Sequence, residues 1–221
     1  MLKSSFASLR SWHRCIWSAG LLLILGSVGG CSYIKAAVLL TAPTTEKVPA
    51  EFNRLEGSKA VVYVWVPPEI KWDYPYIRLD LSSYVSGYLK ENVKDITIID
   101  PTRVESYIEK SGRHEADPVD IGRHFQADMV VHLAVHQFSI RDPGMAHFYR
   151  GRIGSSVEVH DLTAEGDAAT RFPLKEVEVA YPDDKAVGFS NVRPEQMKQA
   201  TYEAFAVEVG KKFHVWERPI D

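Results

Sequence analysis

The 221-residue sequence is poor in cysteine, holding only Cys15 and Cys31. Beyond position 31 there is no thiol, so the bulk of the chain has no internal disulfide framework and no cysteine-ligated metal site. Excess positive charge is missing as well: 26 Lys and Arg stand against 29 Asp and Glu. The first 30 residues carry Lys3, Arg10 and Arg14 and no acid, leaving 23 bases against 29 acids in the remainder, a net charge of −6. A body of that sign does not neutralise a phosphate backbone, and no nucleic-acid partner is expected. Repeats and low-complexity segments are also wanting, and the chain has one long uncharged run, so collagen, coiled coil and polytopic membrane protein are excluded. What is present, 45% hydrophobic and 25% charged residues, is ordinary for a globular protein of about one domain.

The uncharged run extends from Cys15 to Ile34 around Leu21-Leu22-Leu23-Ile24-Leu25, preceded by the three bases. That is the n-region and h-region of a secretion signal. It closes on Gly26-Ser27-Val28-Gly29-Gly30 and then Cys31, small residues that let an extended backbone enter a peptidase cleft. A single uncleaved membrane anchor is the competing reading, since about 20 uncharged residues can span a bilayer. Glycine and serine fill its second half, however, where a membrane helix favours Leu, Ile or Val.

Val28-Gly29-Gly30-Cys31 resembles the bacterial lipobox. The resemblance implies that the Cys31 thiol receives diacylglycerol, that the signal is cut before it, and that the new amine is acylated. Two or more chains anchor a protein stably without a basic patch, which this acidic body lacks. Ser32 rather than Asp follows the cysteine, and in Gram-negative lipoproteins this implies the outer membrane, at its periplasmic face.

Residues 1–30 are therefore expected to be a lipoprotein signal peptide and 31–58 the lipidated cysteine and a tether with no strong period, carrying at most a short helix at Tyr33–Leu40. An α/β (α+β) domain is expected over 59–216, with a short tail at 217–221. Lys59 opens the β-rich run Ala60–Val66, halted by Pro67-Pro68; an aromatic loop follows, then a helix from Tyr76 to near Val93 and a short strand at Ile96–Ile99. Asp100-Pro101 and Asp117-Pro118 place a capping carboxylate before a first-turn proline, predicting helices Thr102–Lys110 and Val119–Gln126. Strands are predicted at Asp128–Phe138, Phe148–Asp161 and Phe172–Tyr181, breaking at Arg141-Asp142-Pro143-Gly144 and Thr163-Ala164-Glu165-Gly166-Asp167, with a last helix from Pro194 to about Trp216. One strand-helix-strand unit followed by antiparallel hairpins implies a single compact domain, a mixed sheet with covering helices.

The aliphatic opening strand, Ile98-Ile99-Asp100-Pro101, the stretch Asp120-Ile121-Gly122-Arg123-His124-Phe125-Gln126-Ala127-Asp128 and the strand Val157-Glu158-Val159-His160-Asp161 together resemble a periplasmic domain. It is the domain shared by the TolB N-terminus, the curli secretion lipoprotein and the B-type penicillin-binding-protein activator lipoprotein. The resemblance spans about residues 59–216. It implies an envelope protein of that fold, without the curli-type pore, because the hairpin around Asp142-Pro143-Gly144 joins strands already needed by the soluble sheet.

Catalytic motifs are absent. Gly154-Ser155-Ser156 falls inside a strand rather than on a nucleophile elbow, Gly151-Arg152-Ile153-Gly154 lacks the rest of a phosphate loop, and the pairs Asp183-Asp184 and Glu176/Glu178 read as solvated charges. His132 and His136 lie roughly 13 Å apart along one strand, too far to share an ion. His132 with His160 from a neighbouring strand stays open, but no carboxylate has a fixed spacing to either. No metal, no cofactor and no enzymatic activity are expected.

Binding residues remain. Trp72, Tyr74 and Tyr76 stand among prolines in Pro67–Tyr76, a composition enriched at interface hot spots, and Phe148 lies near a hairpin tip in Met145–Arg150. Inward packing of those rings is the alternative. The expected function is a non-catalytic protein–protein adaptor held at the periplasmic face of the outer membrane by its acyl chains, serving an envelope protein partner. Alternatives are a ligand- or glycan-binding auxiliary lipoprotein, or a metal-binding envelope enzyme.

Overall fold

The computed structural model describes residues 45–112, 116–141, 144, 147–163 and 169–220. Residues 47–217 form one compact unit; the described chain ends, Thr45–Glu46 and Arg218–Ile220, belong to a second, in which Arg218 Nη2 bonds Glu46 Oε2 at 2.9 Å. The elements in chain order are β1 (Thr45–Val48), β2 (Lys59–Trp65), α1 (Pro68–Asp73), α2 (Ile77–Asn92), β3 (Thr97–Ile98), α3 (Pro101–Ser111) and α4 (Pro118–His124). There follow β4 (Met129–Arg141), β5 (Phe148–Asp161), β6 (Thr170–Tyr181), β7 (Val187–Gly188), α5 (Pro194–Gly210) and β8 (Trp216–Pro219).

The expected mixed sheet is present, in the order β3-β2-β4-β5-β6, with β7 paired to the start of β5. Strand β2 runs parallel to both β3 and β4, as a strand-helix-strand crossover requires, whereas β4, β5 and β6 are antiparallel. Asp128 fixes the start of the parallel pair: its carboxylate accepts from Lys59 N at 2.8 Å, and its own N–H donates to the Lys59 carbonyl at 2.7 Å. The two Asp-Pro signals act as read. Asp100 accepts from Thr102 N and Asp117 from Val119 N, each at 2.8 Å, and Gly112, at φ 62°, closes α3 in the left-handed conformation that glycine adopts without strain.

The sheet has two differently built faces. On one, α2 and α5 pack over Val62, Val64, Val131, Leu133, Val157 and Val159, with Phe205 fully buried beneath them. Gly210 lets α5 and α2 meet closely, since a Cβ there would lie 2.1 Å from Cδ1 of Tyr88. On the other face the shorter α3 and α4 bury Val61, Tyr63, Val104, Ile108, Ile121 and Val130. Arg78 of α2 and Glu105 of α3 form a largely buried ion pair that ties the two helical layers.

Several boundaries differ from the sequence reading. The aromatic loop contains the short helix α1, begun by Pro68 at its first position. The last helix ends at Gly210 rather than near Trp216, because Phe213 turns inward against Phe52 at 6.4 Å and the chain then extends into β8. β8 in turn takes in most of the expected tail. Of the expected tether, residues 45–58 are described, and 47–58 are part of the body: Phe52 and Leu55 are buried in the main core. Glu51 bonds Lys175 N at 2.6 Å and Lys212 at 3.1 Å, and Arg54 bonds Asp161 at 2.9 Å. Periodicity could not show this, since two isolated apolar residues carry no repeat. The residues 33–40, where a short helix was expected, lie outside the described residues.

Candidate functional site

The expected binding aromatics separate. Trp72, in α1, is 87% exposed and Tyr76 74%, whereas Tyr74 turns inward and meets Phe138 edge-on at 4.6 Å. The ring that caps the core is thus Tyr74 alone. Trp72 borders a cleft of about 840 Å³ whose walls are mainly apolar, formed by Trp65, Val66, Pro68, Pro75 and Ile108, with Lys71, Arg78 and Glu109 at its polar points. Tyr76 and Phe148 do not line it. Phe148, 37% exposed, begins β5 opposite Gly188. Cys31 and the cleavage residues Val28, Gly29 and Gly30 lie outside the described residues, as do Asp142, Pro143, Met145 and Ala146.

A second constellation is assembled by strand register. Alternate residues of a strand share a face, so Val130 and His132 of β4 point to the α3/α4 side of the sheet. Val130 pairs with His160 and His132 with Glu158 on β5, while Tyr63 of β2 flanks His132 and Arg171 of β6 flanks His160. His132 stacks on Tyr63, with centroids 5.1 Å apart and ring planes 10° apart. Its Nδ1 lies 3.9 Å from Glu158 Oε2, and His160 Nε2 lies 3.7 Å from the same oxygen. One donor atom from each of the three residues falls within 4.8 Å of the others.

The electrostatics of this cluster are uneven. Burial pushes the His132 imidazole down to about 4 despite the neighbouring carboxylate, and burial likewise lowers His160. Both rings are therefore neutral near pH 7 and present lone pairs. Glu158 is held below the usual carboxylate range by hydrogen bonds from Arg171, whose Nε donates to Oε2 at 2.7 Å and whose Nη2 donates to Oε1. The His160 Nε2 is buried without a hydrogen-bond partner among the described residues. Two neutral imidazoles and one ionised carboxylate offer the donors that zinc-class ions take.

Sequence reasoning left the His132–His160 pairing open and lacked its carboxylate. The alternation in Val157-Glu158-Val159-His160 placed Glu158 and His160 on one face, but only the β4–β5 register places Glu158 opposite His132. His136 takes no part: it is exposed and sits at a register shift of β4.

No protein-family model matches the chain, and no curated protein matches it. Among solved structures, it is similar to a point variant of the PelC dodecamer from Paraburkholderia phytofirmans (12% identity, TM-score 0.45, 77% of this chain and 97% of that one). It is also similar to the lipoprotein GNA1162 from Neisseria meningitidis (11%, 0.40, 65% and 92%). A third is a putative neuraminyllactose-binding hemagglutinin homolog from Helicobacter pylori (10%, 0.25, 75% and 86%). At these identities and scores no role passes to any residue of this chain. No helix among the described residues is long and apolar enough to cross a membrane.

Proposed function

We propose that this protein is a lipid-anchored lipoprotein of the periplasmic face of the outer membrane, acting without catalysis as an adaptor that binds an envelope protein through the Trp72 cleft. The observation that carries the reading is Trp72 itself, 87% exposed at the edge of an apolar cleft. A large aromatic left in water beside a concave surface gains free energy chiefly by burial against a partner. The walls are predominantly apolar, which suits inserted protein side chains better than a hydroxyl-rich glycan. Acylation at Cys31 supplies the tether, and two or more chains hold it at the membrane without basic help.

Two measurements test this. Intact mass of the exported chain should give residues 31–221 with an acylated Cys31, and Cys31→Ala should release the protein from membranes; a retained signal or a free thiol would remove the anchor. Photocrosslinking in cells from position 72 should give one discrete protein adduct, lost when Pro75→Glu places a charge in the cleft wall. No adduct, or one indifferent to that charge, would refute the adaptor role.

A further inference from the structure

We propose that His132, Glu158 and His160 form a binding site for one divalent transition ion of the zinc class, with Arg171 acting as the removable counter-charge that pairs with Glu158 in the ion's stead. This inference concerns the opposite side of β2 and β4 from the main core and does not depend on the Trp72 cleft. In a tetrahedral zinc site with bonds of roughly 2.0–2.2 Å, neighbouring ligand atoms stand about 3.3 Å apart. The two edges from Glu158 Oε2, 3.7 and 3.9 Å, need to close by only about half an ångström, within the reach of side-chain rotation.

Three further features fit an ion. The His160 Nε2 is buried and has no hydrogen-bond partner among the described residues, in a side chain 11% exposed; an unsatisfied buried nitrogen is costly, and a metal bond satisfies it. His132 is held in place by the Tyr63 ring, so less freedom is lost on binding. Finally, Arg171 has a side chain 62% exposed, against 16% for Glu158, so it has open solvent into which to swing when its hydrogen bonds to Glu158 are given up. Two cations cannot share one carboxylate oxygen cheaply, so the ion and Arg171 compete for Glu158. With three protein ligands, a coordination position remains for water or a ligand, the arrangement of an exchangeable site rather than a closed structural one.

The test uses the full chain in detergent, stripped with a chelator and titrated with Zn²⁺ against a chromophoric competitor, and separately with Co²⁺. One ion per chain is expected, and the cobalt spectrum should report nitrogen and oxygen ligation without a thiolate charge-transfer band, which separates this site from the cysteines. Glu158→Gln and His160→Gln, both close in volume to the native residues, should each weaken Zn²⁺ at least tenfold, while Arg171→Ala should tighten it several-fold. Circular dichroism and unfolding curves verify that the variants fold. Absence of binding by the folded native chain, thiolate bands in the cobalt spectrum, or binding unaffected by Glu158→Gln and His160→Gln would overturn the proposal; weakening by Arg171→Ala would refute the counter-charge role.

Discussion

The two faces of one sheet have been put to different uses. Along β4, Met129, Val131, Leu133 and Val135 point into a sealed apolar core under two long helices. Their neighbours Val130 and His132 point to a face covered by shorter helices, where apolar packing gives way to His132, Glu158, His160 and Arg171. The same backbone thus carries a stabilising face and a chemically equipped one, because successive residues of a strand point oppositely. A polar group on the first face would lose water with nothing in return; on the second, part of the set keeps solvent within reach.

That contrast can be broken most severely on the sealed side. Phe205→Ala should cost about 3–5 kcal/mol, the range for truncating a fully buried aromatic, read as a lower midpoint in denaturant at unchanged slope. Next is the tie between the helical layers: Arg78→Ala strands the Glu105 carboxylate, and about 3 kcal/mol should be lost, with Glu105→Gln in the same background restoring part of it.

The open face should reveal itself through pH. In the folded protein His132 titrates near 4 rather than near 6.5, so the unfolded chain binds more protons between those values, and stability falls as the pH drops from about 6.5 to 4. The loss amounts to up to about 3 kcal/mol at 1.36 kcal/mol per unit. His160 acts in the same direction. Denaturant titrations in chelating buffer at pH 7 and 4.5 should show this slope, and His132→Gln should flatten it, while Leu133→Met on the sealed side leaves it unaltered. The smallest effect expected is at the cap of α3, where Asp100→Ala should cost about 1 kcal/mol and leave Phe205 and the histidine cluster untouched.

Much of the architecture was legible along the chain. The β-branched run of β2, the helical spacing of α2 and the Asp-Pro caps of α3 and α4 are local signals, and each element stands within a few residues of where those signals put it. Local signals failed where the partner is distant. Phe52 and Leu55 looked like tether because their contacts are with Phe172, Phe213 and the core, more than a hundred residues away in sequence for the rings. Likewise Tyr74 and Trp72 were indistinguishable by composition, and only the packing of Phe138 decided which ring turned inward.

The amino-acid order by itself determined the long strands and helices, the acidic thiol-free body and the signal-like start, since each depends on neighbouring residues or on simple sums of charge. Which residues meet was decided by tertiary structure. Register between β4 and β5 is set by the burial of whole faces, and a shift of one residue would have turned Glu158 and His160 together away from His132.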